Sequence, residues 1–327
     1  MSSGTSAIHL ALIMLGVGKG DTVLTQSFTF AASAFPVAYQ HATPVFIGSE
    51  KETWNMDPNA LEDALKQINK STHQQLPKAI IPVHLYGMPA KMDEIMAIAK
   101  QYNIPVIEDA AEGLGASYKN QKLGTFGDIG IYSFNGNKII TTSGGGALVS
   151  DNEDYVTKAR FLATQARDNA PHYEHTQIGY NYRMSNISAG IGRGQMEVLN
   201  DHVKRRREIW QTYYNELNDI FEFQNPSDSD QQINKSTNQL LSNRWLTTIV
   251  TKSFEQREAI RLALEEQNIE ARPLWKPMHL QPIFKAYPYY GDRLSEQLFE
   301  KGLCLPSGSN MTEEQLLRVI NIIKSLF

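Results

Sequence analysis

Lys138 stands between two features that suit a lysine for covalent chemistry. A short apolar strand, Ile129-Gly130-Ile131-Tyr132-Ser133-Phe134, precedes it, and a triple-glycine turn, Gly144-Gly145-Gly146, follows. Twenty-nine residues upstream of it, Ile104-Pro105-Val106-Ile107-Glu108-Asp109 reads as another strand with an acid at its C-terminal end. A lone lysine on a loop is ordinarily a surface charge, and a lone Asp after a strand is ordinarily a helix N-cap. Together they are what pyridoxal phosphate (PLP) chemistry requires. The amine forms a Schiff base, and the carboxylate keeps the pyridine nitrogen protonated so that the ring acts as an electron sink.

A third segment joins them. Ser2-Ser3-Gly4-Thr5-Ser6-Ala7-Ile8-His9-Leu10 is a small-residue turn feeding an amphipathic helix. Taken alone it is plain N-capping by Ser2, Ser3 or Thr5. Beside Lys138 and Asp109 it becomes an anion site suited to a phosphate, because backbone N–H groups and hydroxyls converge on the positive end of a helix dipole.

These residues need a scaffold, and the pattern supplies one. From residue 1 to about 200, strand and helix alternate, which predicts an α/β domain with a largely parallel sheet. Strands are expected at Thr22–Thr25, Pro44–Ile47, Ala79–Val83, Ile104–Glu108, Ile129–Phe134 and Ala147–Val149, and helices at Asn59–Ile68, Met92–Tyr102 and Asp154–Ala163. One long helix is expected from Ile187 to Leu217, carrying Lys204-Arg205-Arg206-Arg207 as a solvated face. Gln224 to Ser242 reads as a polar loop without chemistry, and the hexapeptide Gln-Ile-Asn-Lys-Ser-Thr recurs at 67–72 and 232–237 without a structural reason. A smaller α/β unit follows, with a strand at Trp245–Thr251 and helices at Glu255–Gln267 and Thr312–Leu326.

Composition sets the outer limits. The chain has 327 residues, enough for about two domains. A formal net charge of -4 leaves no basic footprint for nucleic acid. The single cysteine, Cys304, excludes an intrachain disulfide and a CxxC metal site, and no metal is expected. No apolar run reaches the roughly 18 residues of a membrane span, and no signal peptide is visible, so a cytoplasmic enzyme is expected.

Four motifs occur in order: Gly4-Thr5-Ser6-Ala7, Glu108-Asp109-Ala110-Ala111, Ser133 five residues before Lys138, and Gly179-Tyr180-Asn181-Tyr182-Arg183-Met184. In this combination the chain resembles the DegT/DnrJ/EryC1/StrS family of PLP-dependent sugar-nucleotide aminotransferases over essentially its whole length. The segments Ser133–Gly146 and Arg272-Pro273-Leu274-Trp275-Lys276-Pro277-Met278-His279 look most like the branch acting in bacillosamine and exopolysaccharide pathways. The resemblance implies an α/β, aspartate-aminotransferase-like fold (fold type I): a large, mixed, mostly parallel sheet domain over 1–205 and a smaller C-terminal α/β domain over 206–327. It also implies a homodimer with shared active sites.

Carried over by position, Lys138 forms the internal aldimine and then shuttles the proton of the 1,3-shift. Retention of a lysine there implies transamination, because relatives with histidine at that place perform dehydration. Asp109 pairs with the pyridine nitrogen. Ser133 and Thr5, with the amides near Gly4 and Ser6, hold the phosphate, Phe30 stacks on the ring, and Asn181 reaches the phosphate from the partner subunit. Glu112 departs from the histidine or glutamine common in relatives. A carboxylate there accepts from the pyridoxal hydroxyl only if one of the two is protonated. Arg183 is open between substrate contact and loop support. Lys276 and His279 are expected to offer positive charge to a diphosphate, His84 to be structural, and Tyr180 and Tyr182 to pack at a subunit interface. The implied reaction moves an amino group from glutamate to the 4-keto carbon of a UDP-linked 4-keto-6-deoxy-N-acetylhexosamine. Alternatives are a 3-keto sugar-nucleotide aminotransferase and a truncated, non-catalytic remnant, since relatives carry several dozen residues before the Gly-Thr-Ser motif and that segment is apparently missing here.

Overall fold

Parallel strands covered on both faces must be apolar on both faces, and the first half of the chain is built that way. The computed structural model describes residues 1–70, 75–224 and 240–327. The strands β1 (Thr22–Gln26), β2 (Thr43–Ile47) and β3 (Ala79–Ile81) lie parallel, with β1 in the middle. Parallel bridges Ile80–Val106 and Val83–Asp109 connect them to β4 (Ile107–Asp109). A small hairpin, β5 (Ser117–Tyr118) and β6 (Gln121–Lys122), intervenes before β7 (Ile129–Ser133), which lies parallel to β4, and β8 (Gly146–Val149), which closes the edge antiparallel.

Alternation along each strand sorts side chains to two cores. Leu24, Val45, Ile80 and Val106 face the helices α3 (Pro58–Lys70) and α4 (Met92–Tyr102). Their neighbours Val23, Ile81, Ile107 and Ile129 face α1 (Gly4–Met14). The latter helix is buried from Ser6 to Leu12, which explains its nearly unbroken apolar sequence. Two short elements complete this half: α2 (Phe35–Tyr39) beside α1, and α5 (Glu153–Ala163) after β8.

The expected helix over Ile187–Leu217 is two helices, α6 (Asn186–Glu197) and α7 (Leu199–Leu217), separated at Val198. Glycines 190, 192 and 194 weaken α6 intrinsically, and none of its residues is buried. The basic run is not a solvated face, although Lys204 is exposed. Arg206 is buried with its guanidinium on the Trp245 carbonyl, Arg207 donates to the Ser242 carbonyl at 2.8 Å, and Arg205 pairs with Glu313 at 2.7 Å. A helix facing a second packed layer turns its cations toward buried carbonyls there.

That second layer is an antiparallel sheet. It comprises β9 (Glu222–Phe223), β11 (Thr247–Val250), β12 (Arg272–Pro273) and β14 (Gly302–Leu305), in the order β12-β14-β11-β9. The helices α7, α8 (Phe254–Glu266) and α10 (Glu313–Lys324) share its core through Trp210, Tyr213, Ile249, Ile260, Leu303 and Ile320, and α9 (Leu294–Lys301) leads into β14. Two short strands return to the first half: β10 (Leu240–Leu241) pairs with β5, and β13 (Tyr289–Tyr290) extends the large sheet beside β2. Most of the polar stretch read as a loop, residues 225–239, lies outside the described residues, as do all or part of both hexapeptide copies. The ends of that stretch are structural: Gln224 donates to the Thr53 carbonyl at 2.7 Å and Ser242 to the Gly87 carbonyl at 2.9 Å.

Gly146 fixes the docking of α1. A Cβ there would lie 2.6 Å from the Gly4 nitrogen and 2.7 Å from the Tyr132 carbonyl oxygen, both backbone atoms that cannot swing away. Gly146→Ala is expected to lower unfolding stability by about 1–3 kcal/mol, the usual range for overpacking, seen as a lower denaturant midpoint at unchanged m-value.

Candidate active site

The C-terminal ends of the parallel strands open into a cavity of about 770 Å3, where ligands collect in open α/β sheets. Lys138 reaches it from the turn after β7, where its backbone N–H donates to the Asn135 carbonyl. Its Nζ lies 3.2 Å from Glu112 Oε1 and 4.3 Å from the centre of the Trp245 ring. The amine therefore has a carboxylate and the face of an indole as neighbours. Trp245 is held in turn, with Nε1 donating to the Asn137 carbonyl at 2.8 Å and the backbone N–H donating to Asn243 Oδ1 at 2.9 Å. Glu112 is buried, and its second oxygen accepts the Tyr86 backbone N–H at 2.7 Å. Burial pushes the Glu112 pKa up, with the Lys138 charge opposing.

Asp109 ends β4 inside the same cavity. Its Oδ2 accepts from Ser33 Oγ at 2.6 Å and its Oδ1 from the Ala111 N–H at 3.1 Å; Thr29 Oγ1 lies 2.8 Å from Ser33 Oγ. Glu108, one residue earlier, points to the other side of the strand. It meets His84 Nε2 at 2.8 Å and the N–H groups of Phe126 and Gly127 at 2.7 and 3.0 Å. His84 accepts the Ala90 N–H on Nδ1 at 3.1 Å, so Nε2 carries the proton given to Glu108. This completely buried pair is structural.

At the opposite end, Ser3, Gly4 and Thr5 begin α1 and line the cavity with Ser133. Ser3 and Ser6 form a reciprocal capping box: Ser3 Oγ accepts the Ser6 N–H and Ser6 Oγ accepts the Ser3 N–H, each at 3.0 Å. Ser6 is thereby turned into the cap and is not among the lining residues. Gly4 lies close to Ser133, since a Cβ at Gly4 would sit 3.2 Å from the Ser133 Cβ.

Other expected site residues fall in different places. Phe30 lines the cavity and tilts against Trp275 at 5.5 Å. Asn181 is exposed and pairs with Thr164, and Arg183 borders a separate hollow with Arg160 and Phe161. Lys276 and His279 lie outside the cavity lining. His279 stacks on Tyr289 at 3.8 Å and bonds Ser27 Oγ through Nδ1 at 2.7 Å. The cavity instead recruits Ser33, Trp245, Glu270 and Arg272, which motif reading left without a role. In the sequence, Arg272 and Trp275 stand out only as members of the segment from Arg272 to His279.

The family model for the DegT/DnrJ/EryC1/StrS aminotransferase family matches residues 1–324. The chain belongs to that family. Enzymes of this family are PLP-dependent aminotransferases with the type I fold. The chain is 52% identical to EpsN of Bacillus subtilis (strain 168), over all of this chain and 83% of that protein. It is 37% identical to a GDP-perosamine synthase of Escherichia coli O157:H7, over all of this chain and 85% of that one. With the UDP-N-acetyl-3-dehydro-alpha-D-glucosamine 3-aminotransferase of Acidithiobacillus ferrooxidans the identity is 33%, over 99% and 82%. The crystal structure of a DegT DnrJ EryC1 StrS aminotransferase from Brucella abortus superposes with a TM-score of 0.90 at 29% identity, covering 99% of this chain and 84% of that one.

The residues present fit the cofactor of this aminotransferase family. One cavity contains an amine, a buried carboxylate braced by two donors, and a helix N-terminus with hydroxyls around it. His9 locks a further part of the family motif. Tyr180 and Tyr182, expected at a subunit interface, pack around this histidine within the chain, with ring centres 5.2 and 5.9 Å away. His9 Nε2 accepts from the Gln40 amide at 2.6 Å, which leaves the Nδ1 proton for Tyr182 Oη at 3.1 Å, and the Tyr182 carbonyl accepts the Ser2 N–H at 2.6 Å. The loop carrying Asn181 and Arg183 is thus clamped to the start of α1.

Burial lowers the His9 pKa, so folding disfavours its charged form. The unfolded chain takes up the proton first, at its ordinary pKa. Stability is complete above about pH 6.5 and falls as the pH drops below it, by no more than about 1.4 kcal/mol per pH unit from this residue. The variant His9→Gln is expected to lose less stability than the parent between pH 7 and 5.5, as measured by denaturant unfolding at each pH.

Proposed function

We propose that this chain transfers an amino group from glutamate to the 4-keto carbon of a UDP-linked 4-keto-6-deoxy-N-acetylhexosamine. The observation that carries the aminotransferase chemistry is the part-buried Lys138 amine held 3.2 Å from the Glu112 carboxylate in the cavity that also contains Asp109. Bound PLP supplies the electron sink that makes a substrate C–H acidic. Lys138 then acts as base and acid, taking a proton from one carbon and returning it to another within reach of a single side chain. Asp109, braced by Ser33 and the Ala111 N–H, is oriented to hold a proton at the ring nitrogen. The hydroxyls of Thr5 and Ser133 with the α1 N-terminus would receive the phosphate, and Glu112 would face the ring hydroxyl. Relatives named for GDP-linked and UDP-linked sugars support a nucleotide-sugar acceptor. The second of these is named for a 3-aminotransferase, which keeps the 3-keto alternative specific.

Assembly belongs to the same proposal. Helix α6 buries none of its residues, and Ile178, Ile187, Ile191, Met196 and Val198 are exposed around it, Ile187 by 80%. An apolar face of this kind calls for a partner, and a second copy of the chain covering it would carry Asn181 toward the neighbouring cavity. Ile187→Glu with Ile191→Glu is expected to give a monomer by sedimentation velocity, with PLP retention falling at least about tenfold. An unchanged dimer would refute this interface.

Lys138→Ala is expected to abolish both the visible band of lysine-linked PLP and its bleaching by glutamate, with turnover lowered by at least about 10³-fold. Surviving turnover would overturn the assignment. Assays of the aminated holoenzyme with UDP-4-keto, GDP-4-keto and UDP-3-keto sugars side by side identify the acceptor, and faster amination of either alternative would refute the proposed one.

A further inference from the structure

An enzyme that alternates two substrates in one cavity must recognise each without retaining the other. If the reading above holds, one is an amino dicarboxylate and the other a nucleoside diphosphate sugar, and what they share is an anionic oxygen group. Among the described residues lining the cavity, the side-chain cations are Lys138 and Arg272. Lys138 is 11% exposed and committed to Glu112 and the cofactor. Arg272 is 78% exposed, and its guanidinium bonds the Glu270 carboxylate, itself 69% exposed.

We propose that Arg272 takes the anionic group of the incoming substrate, and that Glu270 is an internal placeholder which that group displaces. The proposal deepens the aminotransferase reading and rests on it for the identity of the substrates. Three observations support the exchange. The backbone under Arg272 is fixed, because β12 pairs Arg272 with Cys304 and the Leu274 N–H donates to the Gly302 carbonyl at 3.0 Å. Only the side chain must move. The ion pair it leaves is solvent-exposed, and such pairs contribute little, so breaking one is cheap. A substrate carboxylate or phosphate, by contrast, presents two oxygens to the planar fork, beside Trp275 and Pro273 in the lining of the same cavity.

Charge bookkeeping gives Glu270 its second role. The lining carries three carboxylates, Asp109, Glu112 and Glu270, against two cations. An arriving anion meets no net attraction until Arg272 is released from its partner. Glu270 therefore weakens anion binding at the rim and speeds departure of the product that must leave before the second substrate enters.

Calorimetric titration of the PLP holoenzyme with glutarate and, separately, with UDP tests the idea without turnover. Arg272→Gln is expected to weaken at least one probe by about tenfold or more, the usual loss for a charge-assisted bond, while Arg272→Lys recovers part of it. Glu270→Gln is expected to tighten the same probe several-fold. Loss for glutarate alone assigns the site to the donor carboxylate, loss for UDP alone to the diphosphate, and loss of both to a shared contact. The proposal is overturned if Arg272→Gln stays within twofold of the parent for both probes. It is equally overturned if Glu270→Gln weakens binding, or if the parent binds neither probe. Glutamate-driven bleaching of the cofactor band reports separately on the functional reading. Arg272-dependent binding without bleaching would sink that reading and leave the anion site standing, whereas bleaching with an indifferent Arg272→Gln would do the reverse.

Discussion

A buried carboxylate needs a partner, and the contact between Glu112 and the part-buried Lys138 organises everything around it. Removing either charge from such a pair leaves the other desolvated and unpaired, which is far costlier than the pair's own net contribution. The surroundings are correspondingly fixed. Tyr86 donates its backbone N–H to one Glu112 oxygen, and Asn243 Nδ2 donates to the Glu112 carbonyl at 2.6 Å. Trp245 covers the amine, and Arg206 of α7 holds the Trp245 carbonyl. The lysine turn, the β3–β4 region and the start of the second sheet therefore meet at one point. Shifting either half of the chain would uncover a charge.

Gly87 shows how tightly that meeting is drawn. It has φ +89°, and a Cβ there would fall 1.8 Å from Asn243 Oδ1. A side chain would collide with the residue that both caps Glu112 and positions Trp245, so the left-handed glycine is what lets the two halves approach. The cluster of Phe28, Tyr86, Ile140, Leu199, Trp245 and Leu274 fills the same seam with apolar volume.

The parts of this arrangement that were legible in the sequence are those with local causes. Apolar runs between turn residues marked the strands, and the α4 boundaries Met92–Tyr102 follow from periodicity with an asparagine in the left-handed conformation at the C-cap. Asp109 and Ser133 stand at strand ends, where ligands concentrate, and Lys138 follows five residues after Ser133. What was not legible has non-local causes. Trp245 lies over an amine 107 positions away in sequence, at the start of a segment that reads only as a strand. Arg206 looks like one more solvated cation until α7 is placed against a buried carbonyl. The break at Val198 and the exposed apolar side chains of α6 are tertiary features that periodicity along the sequence does not encode. His279 had the right charge for a diphosphate, but its stacking on Tyr289 is set by the return of β13 to the large sheet.

The cavity's charges fall into two populations with different physics. Asp109 and Glu112 are each 4% exposed and bonded to backbone N–H groups that cannot rearrange without unfolding local structure. Their electrostatics are pre-set, which suits chemistry that must find its groups already oriented. At the rim, Arg272 and Glu270 are exposed and mutually neutralising, so their field is weak and readily screened. A site that, as proposed, performs one fixed proton movement on two dissimilar substrates needs both regimes. Burying the rim pair would slow exchange, and exposing the inner pair would let water compete for the lysine. The sheet makes the division possible. Its strand ends hold the inner groups on paired backbone, while β12, at the edge of the second sheet, carries Arg272, with Glu270 two residues before it.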